Sequence, residues 1–354
     1  MTSSHFELKG LPTAIGSMPQ TDPEEACLQV LAHLPEIPAW PQLPKRSFLE
    51  NMYVQYSEGF PGVVNLGERI YVDRSQDLND ALAQLYVAYL EDDVERYALS
   101  PDYAAGLHAF LSRDVGSPVA VKGQVTGPIS WGLTVTDQDR RPILYDDILA
   151  DALAKHLRLK AAWQERVLRE LSPNTIIFVD EPYMNSFGSA FVSLSRPQVI
   201  TLLEEVFKGI SGLKGIHCCG NTDWSVLLET SVDILSLDAY NYGYSLSLYP
   251  AEVKAFVERG GIIAWGIVPN DEDVLAKETA DSLVHRLEET VGALAKKGID
   301  ADLLMDRCLV TPSCTLSPLS PQAATNALEL TAEVARRLRE KYGRETQATE
   351  GETI

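Results

Sequence analysis

Cysteine is scarce in this chain and basic charge is in deficit: there are five cysteines in 354 residues, and 30 Lys plus Arg against 50 Asp plus Glu, for a formal net charge of −20. Cys27, Cys218, Cys219, Cys308 and Cys314 are too few for a disulfide-stapled secreted domain, which packs many cysteines into a short chain. The shortage of Lys and Arg excludes a nucleic-acid binder working through a basic face, since phosphate contacts need clustered cations, and the excess negative charge favours solubility. No run approaches the roughly 18 apolar residues of a membrane span, and Met1 to Lys9 carry no apolar core of signal-peptide type. The expectation is a cytoplasmic protein with no membrane segment. Low-complexity blocks and clear internal repeats are also missing.

What is there is ordinary for a globular enzyme with a sizeable core: 45% hydrophobic and 23% charged residues. The length suggests two domains by rule of thumb, but α/β barrels routinely exceed that rule as one domain. Short β-branched runs alternate with longer stretches of helical period, as in βα units around a parallel sheet. The strands are read as Thr13–Ser17, Val119–Gln124, Thr175–Asp180, Gly215–Cys219, Ile234–Asp238, Ile262–Val268 and Cys308–Thr311. An eighth, hidden between Val63 and Val72 or near Pro101, would close a barrel. Helices are read over Pro23–His33, Leu78–Glu95, Tyr145–Leu171, Pro197–Ile210, Ala251–Glu258, Ala280–Lys297 and Pro321–Lys341. Pro23, Pro197 and Pro321 sit near helix starts, where a missing N–H costs nothing. The order predicts one (β/α)8 TIM-barrel domain over residues 1–342.

Two stretches fall outside the repeat. Residues 35–75, rich in Pro, Gly and aromatics, are too long for a plain connection and are read as a flap over one barrel mouth. Residues 343–354 have almost nothing to bury and are read as a disordered tail.

Active sites of such barrels gather at the carboxyl ends of the strands. Reactive side chains recur there strand after strand: Ser17, Gln124, Asp180 with Glu181, His217 with Cys219, Asp238, and Cys314. The segment GIHCCGN is the most informative. Residues two apart in an extended strand point the same way, so His217 and Cys219 can reach one ion while Cys218 faces away. Imidazole plus thiolate is a zinc ligand set, and Cys314, just past a distant strand, makes a third ligand that leaves a coordination place open. A His-x-Cys pair alone says little, because cysteine is among the most buried residue types and a strand-end histidine often just satisfies a carbonyl.

The stretches AIGSMPQT, KGQVTGP, FVDEP, GIHCCGN, ILSLD and TPSC, in that order and spacing, make the sequence resemble the cobalamin-independent methionine synthase family, specifically its catalytic C-terminal barrel. The wider superfamily includes uroporphyrinogen decarboxylase and the thiol methyltransferases of methanogens. The resemblance implies one zinc per chain held by His217, Cys219 and Cys314. It puts a further acidic ligand at Asp238, where the family usually has Glu; a capping carboxylate is the other reading of that residue. Ser17 matches the serine that holds the amino-acid carboxylate, Asp180 the carboxylate that holds the α-amino group, and Glu50 in FLENM an assisting glutamate; Gln124 is taken with them as substrate-binding. For Glu181 the reading is a supporting or turn role.

The implied activity is methyl transfer to homocysteine, giving methionine. A free thiol, of pKa about 8.5, is mostly protonated near neutral pH, only its thiolate is a good nucleophile, and metal binding deprotonates it. Classical members carry a second, N-terminal barrel that helps to bind polyglutamylated folate. The single acidic barrel therefore suggests a methyl-corrinoid carrier protein or methylcobalamin as donor, with methyltetrahydrofolate as the other choice. The rival readings are a zinc methyltransferase acting on another thiol of coenzyme M type, a metal-free decarboxylase of the uroporphyrinogen type, and a non-catalytic amino-acid or corrinoid-protein binder.

Overall fold

The structure is a computed structural model, described over residues 7–190 and 192–342; the expected disordered tail, 343–354, lies outside the described residues. Seven strands form one parallel sheet: β1 (Leu11–Pro12), β2 (Val121–Thr126), β3 (Thr175–Asp180), β4 (Leu213–Cys218), β5 (Ile234–Leu237), β6 (Ile262–Val268) and β7 (Cys308–Pro312). Their order is β1-β7-β6-β5-β4-β3-β2, so each strand from β2 onward pairs with its successor and the last pairs with the first. Connections of this kind are right-handed crossovers with the helices outside. Among the described residues β2, β3, β5, β6 and β7 are buried along their whole length, which is why β3, β5 and β6 read as largely apolar runs instead of alternating ones.

The sheet is curled. Leu11, Ala120, Ile176, Phe178, Leu213, Ile234, Ile262, Ala264 and Leu309 pack together on its inner face with Ile37. Residues of opposite parity, such as Ile177, Val179, Ile216 and Leu235, pack outward against the helices. Full burial of each such side chain contributes roughly 1.5–3 kcal/mol.

The outer helices begin where the chain supplies caps. Asp146 accepts from Ile148 and Leu149 N–H at the head of the helix Asp147–Leu168. Ser195 with Gln198, and Thr279 with Ser282, form reciprocal caps on Arg196–Phe207 and Ala280–Ala295. Pro23–His33 has the limits read from the sequence, and Pro321–Tyr342 extends that reading by one residue.

The expected eighth strand is corrected. Val63–Asn65 and Ile70–Val72 do pair, antiparallel, but in a separate three-stranded sheet with Thr136–Asp137. The stretch near Pro101 is a turn leading into the helix Ala105–Leu111. Instead, residues 36–42 run between the two edges of the main sheet. Trp40 N–H donates to Lys122 O (3.2 Å) and Lys122 N–H to Pro38 O (2.9 Å) on one side. Gln42 N–H donates to Gly16 O (3.1 Å) and Met18 N–H to Gln42 O (2.9 Å) on the other. This segment sits in the region read as a flap, and prolines hid it: Pro38 and Pro41 have no N–H for the ladder and are out of place in a central strand. Elsewhere in the same region Val54, Gln55, Tyr56 and Phe60 are buried, whereas residues 65–69 are exposed.

Candidate metal centre

A parallel sheet puts all its carboxyl ends on one side, and that arrangement assembles the site. His217 is the penultimate residue of β4, Cys219 follows the strand, and Cys314 lies two residues beyond β7. The ligand atoms of these three residues all lie within 4.8 Å of one another. A zinc ion held at about 2.0 Å by imidazole nitrogen and about 2.3 Å by sulfur fits a triangle of that size. The loop bearing Cys314 is tied down on both flanks: Ser313 N–H donates to Val268 O (2.7 Å), and Leu316 N–H donates to Ser17 O (3.0 Å).

The electrostatics agree with a ligand set. Cys219 is held down to about 4, first by the hydrogen bond from the Cys314 thiol and then by His217, against the opposing effect of burial. Cys314, half-buried and donating that bond, is pushed well up by the bond and by desolvation of its thiol. His217 is buried, its Nδ1 is 2.9 Å from Ser236 Oγ, and its Nε2 has no hydrogen-bond partner. A buried imidazole nitrogen without a partner, facing two sulfurs, is the residue pattern a metal would satisfy. Cys218 has the opposite parity, is buried, and is raised to about 12 by burial.

The other expected residues divide. Asp180 closes β3 opposite His217 in register. It is 7% exposed and its Oδ1 has no partner. Burial pushes it up to about 6, opposed by His217 and Lys122, with Cys219 adding to the rise. Ser17 donates from Oγ to Gln42 Oε1 (3.2 Å), and its carbonyl also accepts from Thr315 Oγ1 (3.2 Å), beside Cys314. Gln124 lies against Gly16, where an added Cβ would be 2.7 Å from the Gln124 Cδ. Of these three, Asp180 is paired in register with His217, and Ser17 is bonded to Thr315, the neighbour of Cys314.

Asp238, one residue past β5, is outside the three-residue cluster. Its Oδ1 accepts from Asn241 N–H (2.9 Å) and its Oδ2 from Asn241 Nδ2 (2.7 Å), so it caps the turn that follows. Burial raises it and Cys219 adds to the rise, which keeps it in the electrostatic neighbourhood of the ligands. Glu50 is buried, with Oε1 ion-paired to Arg46 at 2.7 Å and Oε2 without a hydrogen-bond partner. Burial raises it, and the groups acting against that rise are Arg46 and the backbone at Leu43 and Ala105. From that same stretch of chain Gln55 reaches toward Ser17, its Oε1 accepting from Gln42 Nε2 (2.7 Å).

Ser236, Lys122, Gln42 and Gln55 are the polar residues around the site that sequence reasoning missed. A charged residue inside the apolar run VAVKGQV was a visible signal for Lys122, and β4 to β5 pairing puts Ser236 opposite His217. Glu181 takes a supporting role. Its Oε1 accepts from Ile129 N–H (2.9 Å), and its Oε2 from Ser130 N–H (2.7 Å) and Ser130 Oγ (2.6 Å), anchoring the start of the helix Pro128–Thr134.

Fold and site together define a curled parallel α/β sheet with a His-Cys-Cys ligand set at its carboxyl mouth. No protein-family model and no curated protein matches the sequence. Among solved structures, the chain shares its fold with a B12-independent methionine synthase from Shewanella sp. W3-18-1, in complex with selenomethionine, at a TM-score of 0.57 and 16% identity over 96% of this chain and 99% of that one. It is also similar to a putative vitamin-B12 independent methionine synthase from Listeria monocytogenes, at a TM-score of 0.56 and 13% identity over 90% of this chain and 86% of that one. No helix among the described residues is long and apolar enough to cross a membrane.

Proposed function

We propose that this protein is a zinc-dependent methyltransferase that converts homocysteine to methionine. The observation that carries the reading is the convergence of His217, Cys219 and Cys314 within 4.8 Å at the carboxyl ends of distant strands, in a fold shared with methionine synthases.

His217 through Nε2, and the two cysteine sulfurs, would hold the metal. Bound zinc supplies a positive centre that makes a neighbouring thiol a thiolate near neutral pH. The remaining work belongs to the chain. Ser236 fixes the His217 ring. Asp180, with a free buried oxygen beside the ligands, takes the substrate's α-ammonium group, while Ser17 and Gln124 on the adjoining wall take its carboxylate. Held at both ends, the amino acid directs its sulfur to the three ligands, which lowers the entropic part of the barrier. The methyl group then passes from donor nitrogen to sulfur, and the departing nitrogen takes up a proton. Asp238 is assigned to capping and not to the metal, because Asn241 engages both its oxygens.

Methyltetrahydrofolate is the donor this reading favours. The methyl-corrinoid alternative rested on the lack of a second barrel, and a solved chain described as B12-independent is matched over 99% of its length by this one. The deciding experiment is metal analysis of the purified protein with an assay offering homocysteine and either methyltetrahydrofolate or methylcobalamin. A single zinc per chain, lost together with activity in Cys219→Ser, supports the proposal. Full activity in a zinc-free preparation refutes it, and turnover with methylcobalamin alone refutes the choice of donor.

A further inference from the structure

Lys122 projects from β2 into the interior of the curled sheet and is fully buried. Burying an ammonium group is costly unless it is paired or well hydrogen-bonded, and an apolar side chain of similar length would fill the same space. Its Nζ donates to Ile15 O (2.8 Å) and Gln124 Oε1 (3.3 Å), and it stands 4.3 Å from the centre of the Phe178 ring.

Each hydrogen-bond partner belongs to one wall of the site. Ile15 immediately precedes Gly16 and Ser17. Gly16, at φ +146°, presses so closely on the Gln124 amide that a Cβ there would meet all three of its terminal heavy atoms within 3 Å. With Oε1 facing Lys122 and Nε2 donating to Trp40 O (3.2 Å), the Gln124 amide has one orientation. Lys122 thus pins a backbone turn from below and sets the direction of the neighbouring amide.

We infer that Lys122 is a positioning residue for the carboxylate of an α-amino-acid substrate: it locks the Ile15–Ser17 turn and the Gln124 amide, and puts a fixed positive charge beneath the carboxylate's seat. This rests on the amino-acid reading of the site given above. A charge in a dry interior acts over a longer range than one in water, so, although the Asp180 carboxylate also faces it, the ammonium group favours an anion on that wall without touching it. A charge-assisted contact organised in this way changes affinity by roughly tenfold to a hundredfold.

The test compares two ligands by calorimetry: methionine, and 3-(methylthio)propylamine, which is methionine without its carboxylate. Each is titrated into the zinc-loaded wild-type chain and Lys122→Met, with zinc content and thermal unfolding measured in parallel. The wild type is expected to prefer methionine. Lys122→Met should lose about tenfold to a hundredfold of that preference, with amine affinity and zinc content unchanged, and the loss should appear in KM more than in kcat. Equal preference in the two proteins overturns the inference, and so does a parallel weakening of both ligands, which marks a merely structural role. Should Lys122→Met fail to fold, Lys122→Gln keeps an N–H donor without the charge; a preference as strong as that of the wild type overturns the inference there. A wild-type chain that binds neither ligand refutes the amino-acid reading itself and takes this inference with it. Binding by the wild type with no effect of the substitution refutes only the role of Lys122.

Discussion

Replacing Ser236 by alanine tests the metal centre through a residue that would bind neither the metal nor the substrate itself. Ser236 lies on β5 opposite His217, is fully buried, and has its Oγ 2.9 Å from His217 Nδ1. With Nδ1–H donating to that oxygen, the imidazole lone pair sits on Nε2, the atom that has no partner in the protein. Ser236→Ala removes the acceptor, leaves Nδ1–H buried without one, and frees the ring to turn or to change tautomer. Loss of such an outer partner weakens metal binding by about 10–100-fold, or about 1.4–2.7 kcal/mol. Zinc affinity should be read by competition with a chromogenic chelator, alongside urea unfolding of the metal-free proteins. The expected result is a dissociation constant raised by that factor while the metal-free variant still folds cooperatively. Unchanged zinc affinity would refute the assignment of Nε2 as ligand and Ser236 as its orienting partner.

Other expectations follow from burial and close packing. His156 is fully buried, with Nε2 2.8 Å from Tyr56 O, and burial, helped by Lys160, pulls it from its ordinary 6.5 down to about 3. Below pH 6.5 the unfolded chain takes up a proton that the folded chain refuses, so this group's contribution to stability is present above that pH. It should decline by about 1.4 kcal/mol per pH unit as the pH falls toward 3; denaturant titrations at successive pH values, in which His156→Gln shows a flatter decline, check it. Gly106→Ala would put a Cβ 1.8 Å from Pro41 O, pushing the helix Ala105–Leu111 off the segment that bridges the sheet edges; a loss of about 3 kcal/mol or more is expected in urea unfolding, and a neutral outcome would contradict that packing. Glu181→Gln turns an amide donor toward Ile129 and Ser130, where the carboxylate accepts three hydrogen bonds; it should cost about 1–3 kcal/mol, and a denaturation midpoint equal to that of the wild type would refute the anchoring role.

Much of this molecule could be read one residue at a time. Thr175–Asp180 and Ile262–Val268 were legible to the residue because β-branched runs bounded by polar turns have few other uses. The clustering of His217, Cys219 and Cys314 was legible because strand parity puts His217 and Cys219 on one side, and because Cys314 follows another strand end. Residues 36–42 were not, since four prolines at every third position from Pro35 to Pro44 read as a loop, and only the two sheet edges give the segment its hydrogen bonds. The local partners of Asp238 and Glu50 were not read from the sequence either. Their residue type suited a ligand or a clamp, but the side chains that engage them, Asn241 and Arg46, are neighbours within one turn of chain, and local hydrogen bonds compete strongly for a carboxylate.

Local pattern was thus enough for the alternation of strands and helices, the polar ends of the strands and the candidate sulfur and imidazole donors, because periodicity and side-chain chemistry are properties of short stretches. Which carboxylate faces the site, what orients the histidine, why a lysine lies in the apolar interior and what joins the first and last edges of the sheet were decided by the folded chain. Each of those depends on atoms that are distant in sequence and meet only once the sheet has curled.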